Sequence, residues 1–131
     1  MRIRFVAKKF LNLPSLSFSD LLISQDRSRL EDIRQAARRI QRFVADVEAA
    51  TFRRDDKLQS AVIFQLLIIG EATKHLSEDL QSAHEEVPWS KMARMRDRLI
   101  HGYFDMDVEI VWTTVTRDIP VLLDDLERIM D

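Results

Sequence analysis

Basic side chains are concentrated between residues 91 and 98, directly before a histidine. Four of these eight residues are cationic and one is acidic, which gives a local charge of +3. The cations are Lys91, Arg94, Arg96 and Arg98, and the acid is Asp97. An arginine can form paired hydrogen bonds to two oxygens of a phosphodiester, and His101 offers an imidazole that transfers protons near neutral pH. The segment therefore contains a minimal set of groups for cleaving RNA, with histidine moving a proton and arginine offsetting charge on the phosphate.

The spacing of Arg96 and His101 restricts how these two residues could act together. On a continuous helix they lie roughly 140° apart around the axis and about 7.5 Å apart along it. Gly102 is expected to end this helix as a left-handed cap, which would let His101 turn away from the helical direction. Alternatively, a symmetric dimer would bring two such helix ends into one cleft. A third interpretation is a purely structural basic helix end, with His101 favoured by the helix dipole.

Other kinds of catalytic site find little support in the sequence. His75, His84 and His101 form no pair at the i, i+4 spacing of a zinc-protease helix, so we expect no metal site and no cofactor. The chain has no cysteine, no Gly-x-Ser-x-Gly motif and no glycine-rich phosphate loop. We interpret His75 and His84 as residues of polar helix faces.

Composition indicates a helical protein of one domain. The chain has 131 residues, with 46% hydrophobic and 32% charged residues but only two glycines and three prolines. Its net charge of −2 excludes a protein surface that is basic throughout and binds nucleic acid over its whole area. The longest apolar run, residues 61–69, is half of the roughly 18 residues that span a membrane, so we expect a cytoplasmic protein.

Apolar residues recur at helical spacing over most of the chain after residue 27. Ser28 and Glu31 match a capping box and predict the first helix start, and Pro120 predicts a kink in the last helix. Gly70 is expected to mark a close helix crossing. The first predicted helix begins at Ser28. The next three cover about residues 55–76, 78–86 and 89–100, and the last starts at Val108 after its cap Asp107. This pattern predicts an all-α antiparallel bundle of four to five helices. We interpret residues 1–26 as an N-terminal extension, either a disordered arm or the product of a misassigned start site, and residues 27–131 as the helical domain.

The segment from Arg96 to Tyr103 matches the Arg-x4-His-x-Tyr motif of HepT-like ribonuclease toxins, a branch of the HEPN superfamily. Three further segments resemble the same family in the same order: residues 68–77, 87–89 and 111–120. The resemblance covers about residues 27–131. Many relatives carry asparagine where this chain has Asp97, a carboxylate that can pair with Arg96 or Arg98.

The resemblance implies a dimeric, HEPN-like helical bundle and a metal-independent endoribonuclease. Arg96 and His101 would be the catalytic pair, supported by Asp97, and Lys91, Arg94 and Arg98 would contact RNA. It further implies a type VII-like toxin–antitoxin system, whose minimal nucleotidyltransferase antitoxin silences the toxin by transferring AMP to Tyr103. The alternative function is a non-catalytic dimeric helical module that its partner binds or modifies.

Overall fold

The computed structural model describes residues 17–102 and 107–131, and every regular element in these ranges is helical. The elements are α1 Phe18–Val44, α2 Ala49–Arg54, α3 Asp56–Lys74, α4 Glu78–Ala83, α5 Trp89–His101, α6 Val108–Thr113, a π-helical turn Thr114–Asp118 and α7 Ile119–Met130. The predicted all-α class is therefore confirmed. No helix in the described ranges is both long and apolar enough to cross a membrane.

Helix α1 begins ten residues earlier than the capping box predicts. Ser17 caps it by accepting a hydrogen bond from the backbone N–H of Asp20, and Ser28 lies inside the helix, so the predicted start was wrong. Asp26 shows why the helix continues upstream, because its carboxylate accepts bonds from the N–H and the hydroxyl of Ser77 at 2.9 and 2.6 Å. The division between extension and domain stays a prediction, and residues 1–16 lie outside the described part of the chain.

The core forms around α3, which packs against both α1 and α5. Helix α7 packs on the other side of α1. Buried aliphatic side chains from all these helices fill the centre, among them Ile33, Ile40, Val62 and Leu126. Because α3 is enclosed by two neighbours, its apolar surface extends nearly all round, as the sequence of residues 61–69 predicts.

The last helical segment is interrupted by the π-helical turn. Asp107 caps α6 as predicted, accepting a bond from the N–H of Glu109 at 2.9 Å. Pro120 follows the turn in the first turn of α7. A proline has no N–H to offer the preceding turn and its ring clashes there, so the disruption expected at Pro120 takes the form of a widened π turn just before it.

Two short helices complete the bundle, and only one of them was predicted. Helix α4 begins after its predicted cap Ser77, whose hydroxyl accepts a bond from the N–H of Leu80. Helix α2 was missed, since its six residues are too short to show a periodic pattern. Its Phe52 is fully buried and packs on the ring of Trp112, with ring centroids 4.9 Å apart.

Candidate active site

Arg96 lies in the middle of α5 where this helix crosses α3 at close range. A Cβ built on Gly70 of α3 would overlap the Cβ of Arg96 and stand 3.0 Å from the carbonyl oxygen of Met92. The close crossing predicted at Gly70 is thus present, and it fixes where the backbone of Arg96 sits. The arginine emerges from the contact between two packed helices, with its side chain 24% exposed.

We expect Gly70→Ala to destabilise the fold by about 1–3 kcal/mol, because the added methyl forces α3 and α5 apart. The sign of the change in the free energy of unfolding is diagnostic, because replacing glycine by alanine inside a helix ordinarily stabilises the helix by roughly 0.5–1 kcal/mol. Chemical denaturation followed by circular dichroism measures the difference. A variant as stable as the unaltered chain, or more stable, would contradict the close crossing.

Two carboxylates hold the guanidinium of Arg96. Its Nε lies 3.0 Å from a carboxylate oxygen of Glu71, and its Nη1 lies 3.0 Å from Oδ1 of Asp97. The same Asp97 oxygen accepts a bond from Nζ of Lys74 at 3.1 Å. The hydrogen bond from Arg96, followed by that from Lys74, lowers the pKa of Asp97 below its ordinary value. Asp97 therefore stays ionised and pairs with Arg96. The sequence had allowed either Arg96 or Arg98 as its partner.

Glu71 also contacts a histidine. Its second oxygen lies 3.1 Å from Nε2 of His75, one helical turn further along α3. This hydrogen bond is the main cause that lowers the pKa of Glu71, with a smaller effect from the charge of Arg96. His75 is exposed, in agreement with its assignment to a polar face. Sequence reasoning missed Glu71, although its position directly after the predicted crossing at Gly70 was a usable signal.

His101 is the last residue of α5 and is exposed to solvent. It lines an open groove with Arg98 and Gly102 on one wall and Asp107 and Ile110 on the other. The predicted left-handed conformation of Gly102 was wrong, because its φ is −118°. Glycine avoids a tight contact there, since a Cβ would stand 3.1 Å from the carbonyl oxygen of Arg98, to which the Gly102 N–H donates at 2.8 Å.

A single chain does not bring Arg96 and His101 together. Arg96 borders a groove with Glu71, Ile68 and Ile100, on the α3 side of α5. His101 borders the groove on the α6 side, and no residue lines both. The two side chains therefore occupy different faces of α5, as the angle of roughly 140° predicts.

The three other basic residues of α5 lie on the same side as His101. They line one groove together with Thr113 and Thr114, and this groove shares Arg98 with the groove at His101. The residues are Lys91, Arg94 and Arg98. Lys91 pairs with Asp118 at 3.4 Å, whereas Arg94 and Arg98 have no ion-pair partner within residues 17–102 and 107–131. Two exposed guanidinium groups are therefore available to a phosphate beside His101.

Acidic residues limit the positive charge of this groove. Glu109 on α6 pairs with Arg53 of α2, and the hydrogen bond from Arg53 lowers the pKa of Glu109. Tyr103 lies outside the described residues, so its position relative to the groove is not assigned. Within the described ranges, no group of three or more histidine, aspartate or glutamate side chains is placed to hold a metal ion.

The comparisons with known proteins identify the family to which this helical bundle belongs. The family described as "Ribonuclease HepT-like" matches residues 33–129. The chain belongs to this family. The family supports a ribonuclease function for this chain.

Individual relatives agree with this assignment. "Probable ribonuclease HepT" of Thermococcus cleftensis is 47% identical over 100 residues, which cover 76% of this chain and 91% of the relative. "Putative RNase MJ0127" of Methanocaldococcus jannaschii is 41% identical over 104 residues, covering 79% and 86%. A protein of Caldanaerobacter subterraneus, "Putative RNase TTE0752", is 36% identical over 104 residues, covering 79% and 93%. No solved structure matches the chain.

Proposed function

We propose that the chain is a metal-independent endoribonuclease and the toxin of a type VII-like toxin–antitoxin system, acting in the cytoplasm. The observation that carries this proposal is the exposed His101 in a groove that it lines with Arg98, which also lines the neighbouring groove of Arg94. A proton-transferring group beside unpaired guanidinium groups is what cleavage of a phosphodiester requires. Family membership independently supports the ribonuclease function.

The proposed reaction uses the 2′-hydroxyl of the RNA as its nucleophile. The 2′-oxygen attacks the adjacent phosphorus, the bond to the 5′-oxygen breaks, and the products end in a 2′,3′-cyclic phosphate and a 5′-hydroxyl. His101 takes the 2′ proton or gives one to the leaving 5′-oxygen. Arg96 stabilises the charge that builds up on the phosphate oxygens, and Lys91, Arg94 and Arg98 hold neighbouring phosphates.

The test is a comparison of two oligonucleotides of identical sequence, one of RNA and one with 2′-deoxyribose throughout. The purified protein is expected to cut only the RNA, in excess EDTA, and to leave 2′,3′-cyclic phosphate ends. Cleavage of the deoxy strand, or strict dependence on a divalent ion, would refute the proposed chemistry.

A second copy of the chain would complete the site, because one chain holds Arg96 and His101 on different faces. An apolar surface is formed by Ile68 and Ile100, which border the groove at Arg96, and by Phe64, which lies one helical turn before Ile68 on α3. Phe64 is 60% exposed and Ile100 is 46% exposed, and neighbouring large apolar side chains that are exposed to this extent indicate an interaction surface. A symmetric dimer across this surface would bury it and bring the arginine of each chain toward the cleft between them.

We expect Phe64→Asp to produce a monomer that has lost most of its cleavage activity. A carboxylate at the centre of the apolar surface would have to be buried without a partner on dimerisation, which is strongly unfavourable. Light scattering after gel filtration measures the mass. Val121→Asp is a matched control for the mass, because Val121 is 59% exposed but lies on α7, which contributes no residue to the groove at Arg96. If both variants dimerise like the unaltered chain, the interface lies elsewhere.

Regulation by AMP transfer to Tyr103 is proposed from the Arg-x4-His-x-Tyr motif. The tyrosine oxygen would attack the α-phosphorus of ATP on the nucleotidyltransferase antitoxin, forming a phosphodiester and releasing pyrophosphate. A bulky anionic group two residues after His101 would compete with RNA for the basic groove. Intact mass after co-expression with the antitoxin should show one added AMP per chain, and Tyr103→Phe should remove it. An unmodified tyrosine in a silenced complex would indicate inhibition by binding alone.

The second candidate function is a non-catalytic dimeric module that its partner binds or modifies. The observation in its favour is that Glu71 and Asp97 already occupy two donors of Arg96. Modification of Tyr103 by the partner, with no RNA cleavage by the unmodified protein, would favour this alternative.

A further inference from the structure

Within the described residues, one residue outside α5 forms an ion pair with Arg96. Its ion pairs in the described structure are with Asp97, its neighbour on α5, and with Glu71, which belongs to α3. Asp97 lies on α5 beside Arg96 and reaches α3 through its own contact with Lys74, so it ties the guanidinium to α3 indirectly. Glu71 contacts the guanidinium directly from α3, the helix that packs against both α1 and α5.

We infer that Glu71 is a positioning residue for the proposed ribonuclease site, which orients the Arg96 guanidinium toward the scissile phosphate. This inference rests on the proposed function. Glu71 would not touch the RNA and would act only through Arg96, by the ion pair between its carboxylate and Nε at 3.0 Å.

The arrangement leaves enough donors for a phosphate. A guanidinium has five N–H groups, of which one on Nη1 bonds to Asp97, while Nε faces Glu71 in an ion pair. Both hydrogens of Nη2 and one of Nη1 remain. The Nη1–Nη2 edge can therefore still form a paired contact with two phosphate oxygens while Nε stays anchored.

Glu71 is itself fixed on both sides. Its second oxygen faces Nε2 of His75 at 3.1 Å, and the helix backbone at Gly70 keeps α5 close enough for the short pair with Arg96. Exposed ion pairs contribute little to stability, and the Glu71 side chain is 49% exposed. Its contribution is therefore expected in the orientation of Arg96 and in the rate, with little change in the melting temperature.

The first experiment compares two substitutions of Glu71 by RNA cleavage kinetics. Glu71→Ala frees the guanidinium, and we expect kcat to fall by about 10- to 10²-fold with a smaller change in KM, because misplacing a catalytic group by about 1 Å costs rates of this order. Glu71→Gln keeps the length of the side chain and places an amide oxygen where it can accept from Nε, and is expected to retain activity within a few-fold. Glu127→Ala is the control, since Glu127 is also partly exposed and pairs with Arg38 at 2.6 Å, away from Arg96.

The second experiment separates positioning through Arg96 from any direct role of Glu71. In an Arg96→Ala background, measured in single turnovers with excess protein, adding Glu71→Ala should change the rate less than twofold. Independent, multiplying losses would overturn the inference, as would a Glu71→Ala rate equal to or above that of the unaltered chain. These outcomes differ from failure of the proposed function, in which the unaltered chain itself does not cut RNA.

Discussion

The His101→Ala variant is expected to cut RNA about 10²- to 10⁴-fold more slowly than the unaltered chain, which is the usual contribution of a general acid or base. His101 is exposed at the end of α5, and its ring forms no hydrogen bond or ion pair with the residues that the structure describes. The substitution should therefore leave the melting temperature and the dimer mass unchanged. Initial rates on a short RNA oligonucleotide in excess EDTA measure the effect.

A matched control is His84→Ala. His84 is also partly exposed, and its Nδ1 lies 3.6 Å from Glu86, remote from the basic groove. We expect this variant to cleave at the unaltered rate. If His101→Ala retains full activity while remaining folded, His101 is not the proton-transferring group and the assignment of the site is wrong.

The Arg96→Ala variant is expected to lose about 10²- to 10³-fold in rate, because it removes charge stabilisation from the transition state. Mixing it with His101→Ala should restore activity. If each site uses Arg96 of one chain and His101 of the other, a mixed dimer contains one intact site and one that lacks both groups. With random exchange of chains, about a quarter of all sites would be intact, far above the activity of either variant alone.

The mixture is prepared by unfolding both variants together and refolding them, with each variant refolded alone as its control. Activity that rises only in the joint sample would support a site shared between chains. A joint sample no more active than the separate variants would show that Arg96 and His101 must come from the same chain.

Sequence periodicity was sufficient for the long helices that carry the site. The boundaries of α3 and α5 lie within about two residues of the prediction, because both helices bury continuous apolar stripes and have clear ends. The start of α1 was wrong because a serine followed by a glutamate three residues later also occurs inside helices. What extends α1 to Phe18 is a contact with Ser77, about fifty residues away, which local patterns do not contain.

Local sequence patterns likewise predicted only part of the candidate site. Residue types and spacing identified Arg96 and His101, and the helical angle between them predicted that they face different sides. The pairing of Arg96 with Glu71 depends on how closely α3 and α5 cross, which a single glycine permits but does not specify. The conformation of Gly102 was also mispredicted, because crowding against the carbonyl of Arg98 explains glycine there without a left-handed backbone.

The central claim is that this chain cleaves RNA through Arg96 and His101 without a metal ion. The most direct measurement is the cleavage rate of purified, antitoxin-free protein on RNA in excess EDTA, beside the Arg96→Ala/His101→Ala double variant prepared in the same way. The account predicts cleavage by the unaltered chain and a rate for the double variant at least about 10²-fold lower. Equal rates for the two preparations, or no cleavage by either, would contradict it.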